Sequence, residues 1–528
     1  MKGRFRLSMA WLHTWAGLTF CWILYFMFVT GTLGYFDAEI DRWMMPEETP
    51  TEGVPVARSL DTALAYLAQE AEGADRWQVT FPGGRNDPHL RVFWQGPEPE
   101  EEGEEVERGN ERLDISTGEP MAEPVRDTGG GQVLYQMHYS LHYLDRGAAF
   151  RFIGVVALFM FIGLVTGVII HRRIFRDLFT LRPANGQRSW LDAHNLLSVS
   201  SLPFQLMITY SGLIFTVTTW MPAIAIGSYG FDFQKAGAEL GAIADIQIER
   251  SGTPAELTDL HALVAQGEEL WGEGAVRRLD VRMPGDANAR VLLSPDAGIG
   301  VVADQRIYDG VTGEYLDTLN PASRAPIAFA STMIGLHEGL FAGPLLRWLY
   351  FFSGLLGAGM VATGAIYWTA KRRRQALADG VHSRGYRFVD SLNLGTILGL
   401  PVAIAVYFWA NRLLPLGLEG RAQWEMHCLF LAWALCLLYP VARPREVAWR
   451  DLSWVAAFAF GALPIVNAAT TEAHLFNTVR DGDWVLASFD LTALGCGLAF
   501  AAVASVIGRR HVEVPELGRA TTREVPAA

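Results

Sequence analysis

Charge is scarce in this chain. Only 19% of its 528 residues are charged and half are hydrophobic, whereas an ordinary soluble domain carries about 25% charge. That balance excludes disorder and argues against a single soluble core. An excess of positive charge is also lacking. The net charge is −13, which argues against nucleic acid as a partner. Cysteine is nearly absent. Cys21, Cys428, Cys436 and Cys496 all lie in apolar stretches without a CxxC pair, so they suggest neither a disulfide framework nor a thiolate metal site. A dinucleotide fingerprint is missing too. Gly129-Gly130-Gly131 lacks the strand–turn–helix setting, and no flavin or NAD site is seen. No nucleophile–base constellation stands out, which disfavours peptidase chemistry.

What the chain has is long apolar runs. A bilayer-spanning helix needs roughly 20 such residues. Eight runs qualify, at about 9–36, 150–170, 190–220, 346–370, 388–410, 424–440, 452–470 and 485–508. The expected fold class is therefore a mostly α, polytopic membrane protein. The third run carries Pro203, which predicts a kink that neighbouring helices absorb. The first run is too long for a cleavable signal and is followed by Tyr35, Phe36 and Asp37 rather than a small-residue cleavage site. The 17 tryptophans and 29 phenylalanines suit segments that end at membrane interfaces.

Lys and Arg in the short loops predict orientation. Lys2, Arg4 and Arg6 precede the first span, and Arg172, Arg173, Arg176, Arg182 and Arg188 separate the second from the third. Lys371, Arg372, Arg373 and Arg374 follow the fourth. Arg443, Arg445 and Arg450 lie between the sixth and seventh, and Arg509 and Arg510 follow the eighth. If the spans alternate, all five clusters share one side. That side is expected to be cytoplasmic, with both termini inside and a cytoplasmic tail at 509–528.

Two long polar segments, 38–147 and 221–336, then lie outside, each reading as a small α+β module. In the first, Val56–Ala71 has helical periodicity, with strands at Trp77–Phe81, His89–Trp94 and Arg112–Ile115. In the second, Pro254–Trp271 reads as helix, with strands at Val276–Arg282, Arg290–Leu293 and Arg306–Tyr308. The glutamate-rich run Glu98–Glu111 reads as a solvated loop.

The chain contains a duplication. Asp114-Ile-Ser-Thr-Gly118-Glu119 is matched 195 residues on by Asp309-Gly-Val-Thr-Gly313-Glu314, and Arg151-Phe-Ile-Gly is matched 196 residues on by Arg347-Trp-Leu-Tyr. Trp11-Leu-His13 has a looser counterpart in Trp190-Leu-Asp-Ala-His194. Spans 1–4 thus read as two copies of span–module–span, a four-helix core about a pseudo-twofold axis. Spans 5–8, residues 388–508, read as an appended bundle.

Six of the twelve histidines fall near the ends of spans 1–4, where polar groups are functional candidates. His13, His171 and His194 group at the cytoplasmic end, and His138, His142 and His337 at the outer end. His89, His261, His382 and His511 read as surface residues, and His427 and His474 belong to the appended bundle. Imidazole suits Fe, Cu and Zn, but nothing there supplies the carboxylates or thiolates usual around a small metal site, and bundle cores hold cofactors between facing helices. The expectation is two haems, one near each face. Alignment at Arg151/Arg347 brings His337 within one residue of His142. The expected iron ligands are His13 with His194 and His142 with His337, with His171 and His138 as alternatives. A reserve histidine would bond a propionate.

The chain resembles the PepSY-associated transmembrane proteins, which include di-haem inner-membrane reductases of ferric siderophores. The resemblance covers about residues 9–374. It is carried by Trp11-Leu-His-Thr-Trp-Ala-Gly17, Thr30-Gly31-Thr-Leu, Glu39-Ile-Asp-Arg-Trp43 and His138-Tyr-Ser-Leu-His142-Tyr. It continues through His171-Arg-Arg-Ile-Phe-Arg-Asp, Trp190-Leu-Asp-Ala-His194-Asn, Tyr210-Ser-Gly-Leu, Leu336-His337-Glu and Arg347-Trp-Leu-Tyr. It implies two haem b groups, PepSY-like periplasmic modules and a place in the bacterial inner membrane. It also implies an electron path from a quinol or cytoplasmic donor to a ferric siderophore or other Fe(III) chelate. Tyr139, Tyr143, Trp220, Phe341 and Trp348 would line the outer ends, as docking floor or as interfacial belt. Two other readings stand beside it: an iron-chelate permease, and a non-catalytic PepSY protein that binds peptides or restrains a partner.

Overall fold

A computed structural model describes residues 2–48, 54–83, 88–99, 105–122, 124–171, 174, 176, 180–182, 186–220, 226–227, 230, 248–320, 323–379 and 384–512. Arg172, Arg173, His382, Glu100, Glu101, Glu102, Glu104, most of 221–247 and the tail from 513 lie outside the described residues, as do the side chains of Lys2, Trp220, Arg374, Arg510 and His511. The helices are α1 (Lys2–Leu33), α2 (Asp37–Met44), α3 (Val56–Glu70), α4 (Gly130–Ser140), α5 (Arg146–Ile170), α6 (Gln187–Ser200), α7 (Leu202–Trp220), α8 (Leu260–Trp271) and α9 (Ala325–Glu338). They continue as α10 (Pro344–Asp379), α11 (Arg384–Ile397), α12 (Gly399–Leu413), α13 (Arg421–Ala442), α14 (Arg445–Gly461), α15 (Leu463–Thr470), α16 (Leu475–Asp481) and α17 (Trp484–Val512). The strands are β1 (Arg76–Thr80), β2 (Leu90–Gln95), β3 (Arg108–Leu113), β4 (Val276–Arg282), β5 (Arg290–Pro295), β6 (Gln305–Asp309) and β7 (Tyr315–Leu319).

Among the described residues, seven helical segments are long and apolar enough to cross a membrane, and an eighth forms if α6 and α7 count as one bent span. The protein is a polytopic membrane protein with a sheet-bearing part. The bend between α6 and α7 is 67°. Pro203 sits in the first turn of α7, where its missing N–H costs nothing, so the chain restarts a helix there.

The chain divides into two compact units. The first comprises Met1–Glu47, Val125–Leu206 and Trp348–Ala528. Its apolar packing joins α1, α2 and α4 to α12, α13 and α17 through Trp43, Leu134, Met137, Tyr407, Phe408 and Leu429. Residues 125–140 belong to this unit rather than to the sheet. The start of α4 is pinned by polar groups: Asp41 accepts from the Gly131 N–H at 2.7 Å, Glu425 accepts from the Thr128 hydroxyl at 2.6 Å and the Gly129 N–H at 3.2 Å, and the Tyr407 hydroxyl donates to Gly130 O at 2.8 Å. Glu425 also pairs with Arg421 at 2.5 Å, both fully buried. The bundle that looked appended in the sequence is thus tied to the entry of α4.

The second unit comprises Glu48–Pro124 and Met207–Arg347. The two expected α+β modules share one antiparallel seven-stranded sheet, ordered β3-β2-β1-β4-β5-β6-β7. β1 and β4 meet at its middle with Gln78 opposite Asp280. α3 and α8 cover one face, where Leu60, Leu67, Leu263, Val264, Val79 and Leu279 form the core. The duplication is visible in backbone detail. Asp114 N–H donates to Glu119 O and Gly118 N–H to Asp114 O, and Asp309 and Gly313 repeat both bonds with Glu314 and Asp309. Gly118 and Gly313 have φ of 77° and 75°, the left-handed conformation that favours glycine.

Four expectations change. α8 starts at Leu260, not Pro254, because Asp259 caps it by accepting from the N–H groups of His261 and Ala262. Residues 108–111 of the glutamate-rich run are strand, paired with β2. β7 is an added edge strand. His89, read as a surface residue, is only 10% exposed, with Glu48 3.9 Å away.

Candidate functional site

His13 projects from α1 onto α5. Its Nδ1 lies 2.9 Å from Gly163 O and 3.3 Å from the Thr166 hydroxyl. His194 projects from α6 onto α10, with Nδ1 2.8 Å from Met360 O. A carbonyl only accepts, so each Nδ1 carries the proton and each Nε2 presents a lone pair. This is the arrangement of a metal-bound histidine, whose second nitrogen donates to a backbone carbonyl. Among the described residues, neither Nε2 is hydrogen-bonded.

The two rings face one site. Their centroids are 6.2 Å apart, with 64° between their planes. Two imidazole nitrogens each about 2 Å from a shared metal place the ring centres roughly 6 Å apart. The spacing would admit one metal atom between them, with His13 and His194 as the residues to hold it. Glycines make room for the rings. A Cβ at Gly167 would lie 3.3 Å from His13 Cε1, and one at Gly364 would lie 3.1 Å from His194 Cε1. Leu24, Met160, Leu164 and Met360 supply apolar packing around the same helices.

His138 meets the same test, and His337 has a hydroxyl in place of the carbonyl, each within its own unit. His138 Nδ1 is 2.8 Å from Met27 O, and a Cβ at Gly31 would strike it at 2.6 Å. His337 Nδ1 is 2.9 Å from the Ser211 hydroxyl, and a Cβ at Gly212 would come to 3.1 Å from His337 Cε1. The repeat explains the likeness. The offset of 181 from His13 to His194 is also the offset from Thr30-Gly31 to Ser211-Gly212, and Gly163/Gly167 are matched by Met360/Gly364 at a second shared offset of 197.

His142 is placed otherwise. It follows Leu141, a left-handed residue with φ 48° that ends α4. Its ring stacks on Phe430, 5.8 Å away, beside Tyr143. The Tyr143 hydroxyl lies 2.7 Å from His427 Nδ1. His171 ends α5, with a buried Nδ1 that has no partner among the described residues. The signal that separates His138 from His142 was present in the sequence as Thr30-Gly31 and Ser211-Gly212. Its meaning depends on knowing which helix each histidine packs against. Among the described residues there is no cluster of three or more His, Cys, Asp or Glu that would hold a bare metal ion.

No curated protein matches the chain. A family model described as PepSY-associated TM region matches residues 10–371, which contain all six candidate histidines, and the chain belongs to that family.

Proposed function

We propose that the chain is a transmembrane, haem-dependent reductase of the bacterial inner membrane that reduces an Fe(III)-siderophore outside and thereby releases Fe(II) for uptake. The observation that carries this reading is the His13–His194 pair, with rings 6.2 Å apart and each Nδ1 on a backbone carbonyl. A haem b held there would supply one-electron transfer, and two histidine ligands would favour that over oxygen chemistry. His13 and His194 would hold the first haem, with Gly163 and Met360 fixing their tautomers. His138 and His337 are each proposed as a ligand of outer haem iron. His138 takes the place first given to His142, because it shares the carbonyl and glycine setting of His13 and His194. His171 is left to bond a propionate through Nδ1.

The acceptor follows from iron chemistry. Fe(III) is a hard cation gripped by oxygen donors, and Fe(II) is held less tightly. The positive loops would face the cytoplasm, with both termini and a quinol or cytoplasmic donor there. The polar segments would face the periplasm.

The test is a pyridine haemochrome assay with reduced-minus-oxidised spectra of the wild type and of His194→Ala. Two b-type haems in the wild type and one in the variant are expected. Wild-type protein without porphyrin refutes the proposal. Reduced protein that is not reoxidised anaerobically by any ferric chelate refutes the siderophore assignment while leaving a cytochrome.

A further inference from the structure

One face of the seven-stranded sheet is packed by α3 and α8, and the other carries arginine. Alternation along the strands puts Val79, Val92, Leu279 and Leu293 on the helix side and their neighbours on the opposite side. The strand register aligns Arg108, Gln95, Arg76, Arg282 and Arg290 in one row across five strands. A second row runs Arg112, Arg91, Thr80 and Arg278. Seven arginines thus share a face with two aspartates of β1 to β6, in a chain whose net charge is −13.

Like charges directly opposite one another destabilise a sheet. Here Arg76 opposes Arg282, Arg282 opposes Arg290, and Arg91 opposes Arg112. The internal compensation is partial. Asp280 is shared by Arg76 and Arg282, and Arg290 reaches Asp309 at 3.0 Å. Arg112 comes no closer to Glu48 than 3.9 Å. Arg91, Arg108 and Arg278 are exposed and enter no ion pair among the described residues. A cost retained where three of the seven arginines stay exposed marks a functional surface.

We infer that this arginine face binds a multiply anionic, carboxylate-bearing Fe(III) chelate, which sets the substrate class of the proposed reductase and rests on that reading for its iron. The guanidinium fork matches carboxylate oxygens two at a time. Strands about 4.8 Å apart bring three arginine-bearing neighbours within roughly 10 Å, so a compact polyanion engages several at once. A neutral or cationic chelate gains nothing there.

The experiment is isothermal titration of the full-length detergent-solubilised protein with Ga(III)–citrate, a redox-inert stand-in. Saturable binding is expected, weakening as salt rises. The double variant Arg91→Gln/Arg278→Gln loses about tenfold or more in affinity, and Arg91→Lys/Arg278→Lys keeps most of it. Cationic Ga(III)–ferrioxamine B does not bind. Unchanged affinity in the glutamine variant overturns the inference. So does equal binding of metal-free citrate, or binding only to phosphatidylglycerol vesicles. Matching thermal melts show that the variants fold. Ga(III) binding requires no electron, so a haem-free protein that still binds would refute the reductase and not this surface.

Discussion

The histidine cradles make a graded prediction. Alanine at Gly31 would place a Cβ 2.6 Å from His138 Nδ1 and 2.9 Å from its Cε1. Ordinary carbon contacts sit near 3.5 Å, so the ring must retreat by about 1 Å. That retreat strains the 2.8 Å bond from Nδ1 to Met27 O. Over-packing of this kind costs about 1–3 kcal/mol, and the lost hydrogen bond adds about 1 kcal/mol. Alanine in a helix returns up to about 1 kcal/mol. The net loss is about 1–4 kcal/mol, concentrated on one imidazole. At Gly167 the contact would be 3.3 Å to His13 Cε1, which a few tenths of an ångström relieves. Gly31→Ala is therefore expected to lose or convert the haem assigned to His138, while Gly167→Ala keeps both. Haemochrome content and low-spin bands of the two variants measure this. If Gly31→Ala retains two unperturbed haems, or if both substitutions behave alike, the assignment of His138 is wrong.

Other outcomes follow from single contacts. Glu425→Ala leaves Arg421 buried and unpaired, which costs about 3–5 kcal/mol. Its melting temperature should fall, and the haem proposed at His138 should be depleted before the one proposed at His13 and His194, since Glu425 holds the entry of α4. Ser211→Ala removes one hydrogen-bonding group from His337 Nδ1. A weaker partner makes the ligand less basic, so the midpoint potential of one haem should rise while the other stays, as read by redox titration. Burial raises the pKa of Asp286, but hydrogen bonds from Asn288, Ser251 and Gly252 outweigh it and hold the carboxyl at about 2. A depressed carboxylate stabilises the fold above its unfolded pKa near 4 and loses that contribution as pH falls through 2. Asp286→Asn should flatten the acid dependence of melting between those values, and an unchanged slope would contradict the account.

The membrane spans, the duplication and the candidate histidines were legible in the sequence because each is written locally. About twenty apolar residues suffice to cross a bilayer whatever surrounds them, and the repeated Asp-x-x-Thr-Gly-Glu turn closes with its own backbone bonds. Boundaries set by local capping, such as Asp259 before α8, were missed by a few residues, because periodicity alone does not mark where a cap wins. Pairing across distance was not legible. Nothing in 76–80 or 276–282 states that those strands join two modules into one sheet, or that Arg76, Arg282 and Arg290 then stand in line. His138 and His142 are equally good ligands on paper. Only the packing of α4 on α1, which brings one imidazole onto Met27 and Gly31 and turns the other toward Phe430, separates them. Sequence determines which groups a chain offers and where its helices begin to be possible. The choice of which nitrogen keeps its proton and which keeps its lone pair belongs to the tertiary structure, because that choice is made by an acceptor far along the chain.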